Sequence, residues 1–170
     1  MDLEKIIRDV PDFPKEGIIF KDITTLLQDG DAFRQALNQM IKKYLDVKID
    51  KVVAVEARGF IFGGVLAYKL GCGFVPARKP GKLPYHTIGE EYTLEYGTNA
   101  LEIHEDSIRP GEKVLIVDDL LATGGTALAA AKLAETLGGE VVGIEFLIEL
   151  GFLHGREKLA RYKVNSLIAY

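Results

Sequence analysis

The sequence predicts an α/β fold, a mostly parallel sheet with helices on both faces. Three observations predict it. Short apolar runs at 52–55, 73–77, 114–117, 141–148 and 164–168, most of them rich in Val and Ile, read as buried strands. Between them, 60–70 and 127–137 carry the composition of helices. The two kinds of segment alternate, as strand-helix-strand units require. A length of 170 residues suits one domain with a sizeable core, and the chain shows no repeat, low-complexity tract or linker.

Taken in order, residues 3–10 read as a helix stopped by Pro11 and Pro14. The segment 31–45 has helical periodicity, with Phe33, Leu37, Met40, Ile41 and Tyr44 on one face. The strand at 52–55 is followed by the helix at 60–70, for which Gly71 is a plausible stop, and then by the strand at 73–77. Residues 78–97 form a long stretch rich in Gly, Pro and charge, the composition of a lid or hood. Segments 92–96 and 100–104 alternate, suggesting an antiparallel pair across Gly97-Thr98-Asn99. The strand at 114–117, the helix at 127–137 and the strands at 141–148 and 164–168 complete the pattern.

Composition narrows the function. A formal net charge of −4 leaves no footprint for general nucleic-acid binding. The apolar runs fall far short of a membrane span. The first ten residues are charged and lack the apolar core of a signal peptide. The single cysteine, Cys72, cannot form an internal disulfide and reads as a buried structural thiol. A cytoplasmic protein acting on small molecules is expected, without nucleic acid or membrane as partner.

The most informative stretch is VLIVDDLLATGGTA, residues 114–127. It reads as a strand, two carboxylates, a turn with almost no side-chain bulk, and a helix. Ala122, Gly124 and Gly125 let backbone N–H groups approach an anion, and the helix start adds its dipole. Thr123 and Thr126 add hydroxyl donors, so the turn suits a phosphate monoester. Asp118 and Asp119, placed where the strand should end, are acceptors and suit vicinal hydroxyls. Phosphate beside vicinal hydroxyls describes a ribose 5-phosphate. Neither GxxxxGK[ST] nor GxGxxG is present, so this is not a common nucleotide fingerprint.

Other groups extend the pattern. Glu56-Ala57-Arg58-Gly59 follows a strand and offers a guanidinium fork for phosphate oxygens. Arg78, Lys79 and Lys82 form a cationic cluster in an acidic chain, able to hold a polyanion such as pyrophosphate. On its residues alone, the run 18–22 (IIFKD) reads as a buried strand. His86, His104 and His154 have no metal-ligand spacing.

The 114–127 stretch resembles the phosphoribosyl pyrophosphate motif of the type I phosphoribosyltransferases. The resemblance runs over nearly the whole chain, in family order: PDFPKEGIIFKDIT (with Val10 where the family has Phe), EARGFIFG, RKPGKLP, YTLEYG and GREKL. It implies the type I phosphoribosyltransferase fold with a small hood or flexible loop. Residues 1–170 would form a single domain, with base recognition at about 10–28 and the hood at about 78–97. The implied reaction moves the 5-phosphoribosyl group from phosphoribosyl pyrophosphate to adenine, forming AMP and pyrophosphate. The implied cofactor is Mg²⁺, held mainly by substrate oxygens rather than by a protein metal site. A homodimer is implied, in which Arg78 can reach the neighbouring subunit's site.

By the same resemblance, Ala57 and Arg58 belong to a pyrophosphate loop that often carries a cis peptide. Backbone groups around Ile19 and Lys21 would meet adenine, Phe20 would stack on it, and Leu120 would pack on its other face. Glu95 would lie near adenine N7 as a proton donor or acceptor, unless it is an exposed acid on a hairpin. Tyr96 would shield the ribose. Glu95 and Arg58 are thus the candidate catalytic residues. GREKL matches the family but suggests no chemistry. Two other readings stand beside this one: the same transfer to an oxopurine (hypoxanthine, guanine or xanthine), and a non-catalytic sensor of phosphoribosyl pyrophosphate.

Overall fold

Pro11 and Pro14, expected to stop an N-terminal helix, instead lie in a β-hairpin. The computed structural model describes residues 1–94 and 97–170, in two units, Met1–Gln39 and Met40–Tyr170. In the first unit a single 3₁₀ turn, Glu4–Ile6, precedes β1 (Arg8–Pro11), which pairs antiparallel with β2 (Ile19–Asp22). The expected helix over 3–10 is therefore wrong. Asp9 and Val10 pair with Lys21 and Phe20, and this non-local pairing overrides local propensity. At the hairpin's turn, Asp12 Oδ1 accepts a hydrogen bond from the Gly17 N–H at 2.8 Å, and the Phe13–Pro14 peptide is cis. A short α1 (Thr24–Gln28) follows, which the sequence did not suggest. α2 (Gly30–Lys42) is the expected amphipathic helix, ending before Leu45. Asp29 Oδ1 caps its start by accepting from the Asp31 and Ala32 N–H groups, each at 3.0 Å.

The second unit contains the predicted parallel sheet. β3 (Lys51–Val55), α3 (Gly59–Leu70) and β4 (Gly73–Ala77) form one strand-helix-strand unit. Gly71 ends α3 in the left-handed conformation, with φ 65°. A hairpin of β5 (Thr87–Leu94) and β6 (Gly97–His104) comes next. Then follow β7 (Lys113–Leu121), α4 (Gly125–Thr136) and β8 (Glu140–Glu149). A 3₁₀ turn, Gly151–Leu153, and the unforeseen short α5 (Gly155–Lys158) lead to β9 (Val164–Ala169). The sheet order is β4-β3-β7-β8-β9, with every pairing parallel.

Alternation along β3 shows how both faces are covered. A Cβ built on Gly63 of α3 would crowd Ala54 and Val52, so those residues face α3. Val53 and Val55 instead belong to the cluster containing Ala127, Ala130, Ala131 and Ala134 of α4. The chain leaves β3 toward one edge of the sheet and β7 toward the other. Their adjacent C-terminal ends therefore form a topological switch point, where ligands of open α/β sheets bind.

Three expectations need adjustment. The stretch 78–97 is less of a loop than its composition suggested, because Thr87–Leu94 is strand. The turn of that hairpin does not fall at 97–99: Leu94 pairs with Gly97 and Tyr92 with Asn99. β7 does not stop at Val117, because its pairing with β8 continues to Leu121 opposite Glu149. Cys72 is partly buried, its thiol 3.8 Å from the Ala67 carbonyl oxygen, and burial pushes its pKa up.

Candidate active site

The loop after β3 and the end of β7 are joined by charge. Arg58 Nε lies 2.6 Å from Asp119 Oδ2. Asp118 lies beneath the same loop: a Cβ on Gly59 would come within 2.9 Å of Asp118 Oδ1. Glycine is needed there for that close approach. Both carboxylates are buried, and Asp118 Oδ1 accepts from the Asp119 N–H at 2.8 Å. Burial pushes the Asp118 carboxyl well above the ordinary carboxylate range, and the Asp119 charge adds to the rise. The Asp119 N–H and Arg58 pull the other way.

Glu56, at the head of the same loop, gathers the next one. Its Oε1 accepts from the Lys79 N–H at 2.6 Å, and its Oε2 from Arg78 Nη2 at 3.3 Å. Burial raises the Glu56 pKa, but these two donors outweigh it and hold the carboxyl below its usual value. The Glu56–Ala57 peptide is cis, as the resemblance suggested. Arg78 is held further by a β-bridge to Glu102, and its Nη1 lies 3.4 Å from the Lys82 carbonyl. Among the described residues, Arg78 Nε is the buried side-chain nitrogen or oxygen without a hydrogen-bond partner. The Lys79 and Lys82 side chains remain exposed.

Residues 122–126 make the turn from β7 into α4. Gly124 has φ 84°, and among the described residues no side chain caps the helix that follows. Thr123 and Thr126 flank the first N–H groups of α4, partly exposed. Two neighbours of this turn escaped the sequence reading. Gly155 abuts it so closely that a Cβ on Gly124 would overlap the Gly155 carbonyl, and a Cβ on Gly155 would overlap that of Ala122. This gives GREKL a physical place, for which the motif itself was the available signal. On the other side, a Cβ on Gly125 would lie 3.2 Å from the Tyr92 ring, and Glu90 pairs with Lys132 at 3.0 Å. The β5 strand is thus anchored on α4.

Ile19, Phe20 and Lys21, which the resemblance implies for base recognition, lie in the first unit. The strand there is not buried, contrary to the reading of its residues alone: Ile19 is 57% exposed. Phe20 meets Phe13 edge to face at 5.2 Å between centroids, and Lys21 Nζ lies 2.7 Å from Asp9 Oδ1. Leu120 is a half-buried residue of β7, opposite Ile148. Glu95 and Tyr96 lie outside the described residues. Among the described residues, no three His, Cys, Asp or Glu side chains are grouped to hold a metal ion.

A family model described as the phosphoribosyl transferase domain matches residues 23–166. The chain belongs to the phosphoribosyl transferase family. Within that family, it is 62% identical over 170 residues to the adenine phosphoribosyltransferase of Alkaliphilus metalliredigens, covering 100% of both chains. It is 59% identical, again with 100% of both covered, to that of a Thermotoga species. Among solved structures, the adenine phosphoribosyltransferase of Thermoanaerobacter pseudethanolicus matches at 57% identity and a TM-score of 0.94, over 99% of this chain and 98% of that one. The Saccharomyces cerevisiae enzyme, complexed with an imino-altritol bisphosphate and adenine, matches at 40% identity and a TM-score of 0.92, over 98% and 96%. The family's type I fold accounts for the five-stranded parallel sheet.

Proposed function

We propose that this chain is an enzyme of purine salvage, transferring the 5-phosphoribosyl group from phosphoribosyl pyrophosphate to adenine and releasing AMP and pyrophosphate. The observation that carries the site assignment is the switch point. There the Arg58–Asp119 pair and buried Asp118 adjoin a helix start that has no side-chain cap among the described residues. The adenine specificity rests on the relatives, which are adenine phosphoribosyltransferases at about 60% identity over the full chain. Their solved counterparts include the yeast enzyme with adenine and the Giardia lamblia enzyme with 9-deazaadenine.

In the reaction, the ribose C1–oxygen bond to pyrophosphate breaks and a C1–N9 bond to adenine forms, with loss of the N9 proton. The transition state resembles an oxocarbenium ion. Such a reaction needs position, charge and dryness more than covalent catalysis. Residues 122–126 hold the 5-phosphate through backbone N–H groups, with the Thr123 and Thr126 hydroxyls. Asp118 and Asp119 accept from the ribose hydroxyls, with Arg58 and Ala57 on the pyrophosphate. Arg78, Lys79 and Lys82 add positive charge for the leaving group. Ile19, Phe20, Lys21 and Leu120 recognise the base, Glu95 serves adenine N7, and Tyr96 shields the sugar.

Mg²⁺ keeps its waters and favours substrate phosphates, so it would be held mainly by oxygens of phosphoribosyl pyrophosphate, with few direct protein ligands. The ion would offset charge on the departing pyrophosphate. Residues 1–170 act as one catalytic domain, in the cytoplasm, as a homodimer.

A base panel tests the reading. With phosphoribosyl pyrophosphate and Mg²⁺, adenine should exceed hypoxanthine and guanine in kcat/KM by up to ~10⁴-fold, as sites built on hydrogen bonds allow. Comparable use of hypoxanthine would replace adenine with an oxopurine. No turnover of any base would leave a binding protein.

A further inference from the structure

The GREKL segment has no part in the mechanism above, yet its geometry ties it to the turn between β7 and α4. Gly155 is buried, and its backbone is packed on the backbone of Ala122 and Gly124 without room for a methyl group on either side. Such a contact is rigid only if the segment carrying Gly155 is itself held. The next residue does this. Arg156 Nε donates to Glu149 Oε1 at 2.9 Å, and its Nη2 donates to Glu149 Oε2. The same guanidinium reaches β9, with Nη1 2.7 Å from the Val164 carbonyl and Nη2 3.2 Å from Ser166 Oγ. Ser166 Oγ donates in turn to Glu149 Oε2 at 2.6 Å.

Glu149 is well placed to anchor this fork. It lies on β8 opposite Leu121, the residue that ends β7 just before the turn. The next residue, Leu150, donates its N–H to the Leu121 carbonyl at 2.9 Å. Hydrogen bonding from Arg156 keeps the Glu149 carboxyl ionised below its usual range, against the opposing effect of burial. Leu159, at the other end of the motif, is fully buried in the core cluster that includes α4. The segment is therefore fixed on both sides of Gly155.

We propose that Arg156 is a positioning residue: its fork on Glu149, Val164 and Ser166 holds Gly155 against Ala122 and Gly124, and so sets the shape in which residues 122–126 receive the 5-phosphate. Arg156 is not catalytic. It acts through backbone packing on a turn whose own side chains are too small to hold their shape. The inference rests on the assignment of residues 122–126 to the phosphate. It adds that the ability to bind the phosphate depends on a motif that begins only at Gly155, far along the chain from the turn.

The test uses the full chain and measures KM for phosphoribosyl pyrophosphate, KM for adenine, the Kd of AMP and the thermal midpoint. Arg156→Met should raise KM for phosphoribosyl pyrophosphate and the Kd of AMP about tenfold or more, since small misplacements of a binding group are costly. KM for adenine should stay within about twofold. Arg156→Lys keeps the charge but loses the fork, so it should restore the fold fully and phosphate affinity only in part. The Lys variant keeps the test open should the Met variant fail to fold. Combined with Thr123→Ala, Arg156→Met should cost less than the sum of the two, because both act on one turn. Equal rises in both KM values, or a fall in thermal midpoint with unchanged AMP affinity, would overturn the proposal. If Thr123→Ala weakens AMP but Arg156→Met and Arg156→Lys do not, the phosphate assignment stands and the brace is refuted. If Thr123→Ala leaves AMP affinity unchanged, the phosphate assignment fails and the brace fails with it.

Discussion

Arg58, in the loop after β3, and Asp119, near the end of neighbouring strand β7, form an ion pair of 2.6 Å. The guanidinium proposed for pyrophosphate and the carboxylate proposed for ribose thus neutralise each other. Asp119→Asn should weaken AMP binding, which needs the acceptor. Arg58→Gln should weaken phosphoribosyl pyrophosphate more than AMP, because only the former brings pyrophosphate. Titration calorimetry with the two ligands measures the split, and equal losses for both would detach Arg58 from the pyrophosphate.

Asp118 gives a pH-dependent stability. Burial, reinforced by Asp119, raises its folded-state pKa above the unfolded value. A group shifted in this direction stabilises the fold at low pH, and that contribution is lost as pH rises through the folded pKa. Asp118→Asn removes the titrating carboxyl. The variant should gain thermal midpoint over the wild type at neutral pH, and the gain should shrink as the pH falls. AMP affinity should fall at the same time. Melting curves across pH would show the trend, and a pH-independent difference would contradict the assigned titration.

The turn itself gives the third prediction. Thr123→Ala removes one hydroxyl donor and should reduce AMP affinity about tenfold, equivalent to roughly 1.4 kcal/mol. The residue is partly exposed, so the fold should survive. Gly124→Val would be a poor substitute, since its side chain would enter the Gly155 carbonyl and disturb more than the phosphate contact.

The fourth concerns stability away from the site. Glu145 is fully buried and accepts from Tyr44 Oη at 2.8 Å and Lys43 Nζ at 2.9 Å, while Asn165 Nδ2 donates to Tyr44 Oη at 3.1 Å. Gly143 makes room for this cluster, since its Cβ would lie 3.2 Å from Tyr44 Oη. Tyr44→Phe strips a donor from a buried carboxylate and should cost about 1–3 kcal/mol. Urea unfolding measures the loss, and kcat/KM should not change.

The hood supplies the last. The Tyr92 contact with Gly125 and the Glu90–Lys132 pair fasten β5 to α4, so closure should involve residues 79–86 rather than the strand. Hydrogen exchange should show new protection at 79–86 on binding phosphoribosyl pyrophosphate with Mg²⁺, and little change along Thr87–Leu94. Glu95→Gln, which keeps the shape and loses the titrating proton, should lower kcat about 10²-fold if this residue serves N7. Full activity in that variant would remove the role.

The elements of the central sheet were legible because their signals are local. Val52 to Val55 and Val114 to Val117 are apolar enough to name themselves, and the alanines of α4 favour helix whatever surrounds them. What escaped depends on partners distant in sequence. Asp118 to Leu121 looks like a strand end followed by a loop, and pairing with Phe146, Ile148 and Glu149 is what keeps it extended. Gly89, Glu90 and Glu91 look like loop residues until β6 and α4 supply a surface. Arg8 to Pro11 becomes strand through Ile19 to Asp22. Within the site, Asp118, Asp119 and the glycine turn were readable from order and spacing. Gly155 was not, because nothing in GREKL says which backbone it touches.

The alternation along β3 also decides what carries its loop. Val52 and Ala54 face one helix and Val53 and Val55 the other, and the chain then turns through Glu56, Ala57 and Arg58 into α3. One residue inserted in β3 would present the wrong faces to both helices, whereas two would restore the phase. The loop that brings Arg58 to Asp119 thus starts from a strand clamped by both layers of the core, and the core acts as the mount on which the charge pair is held.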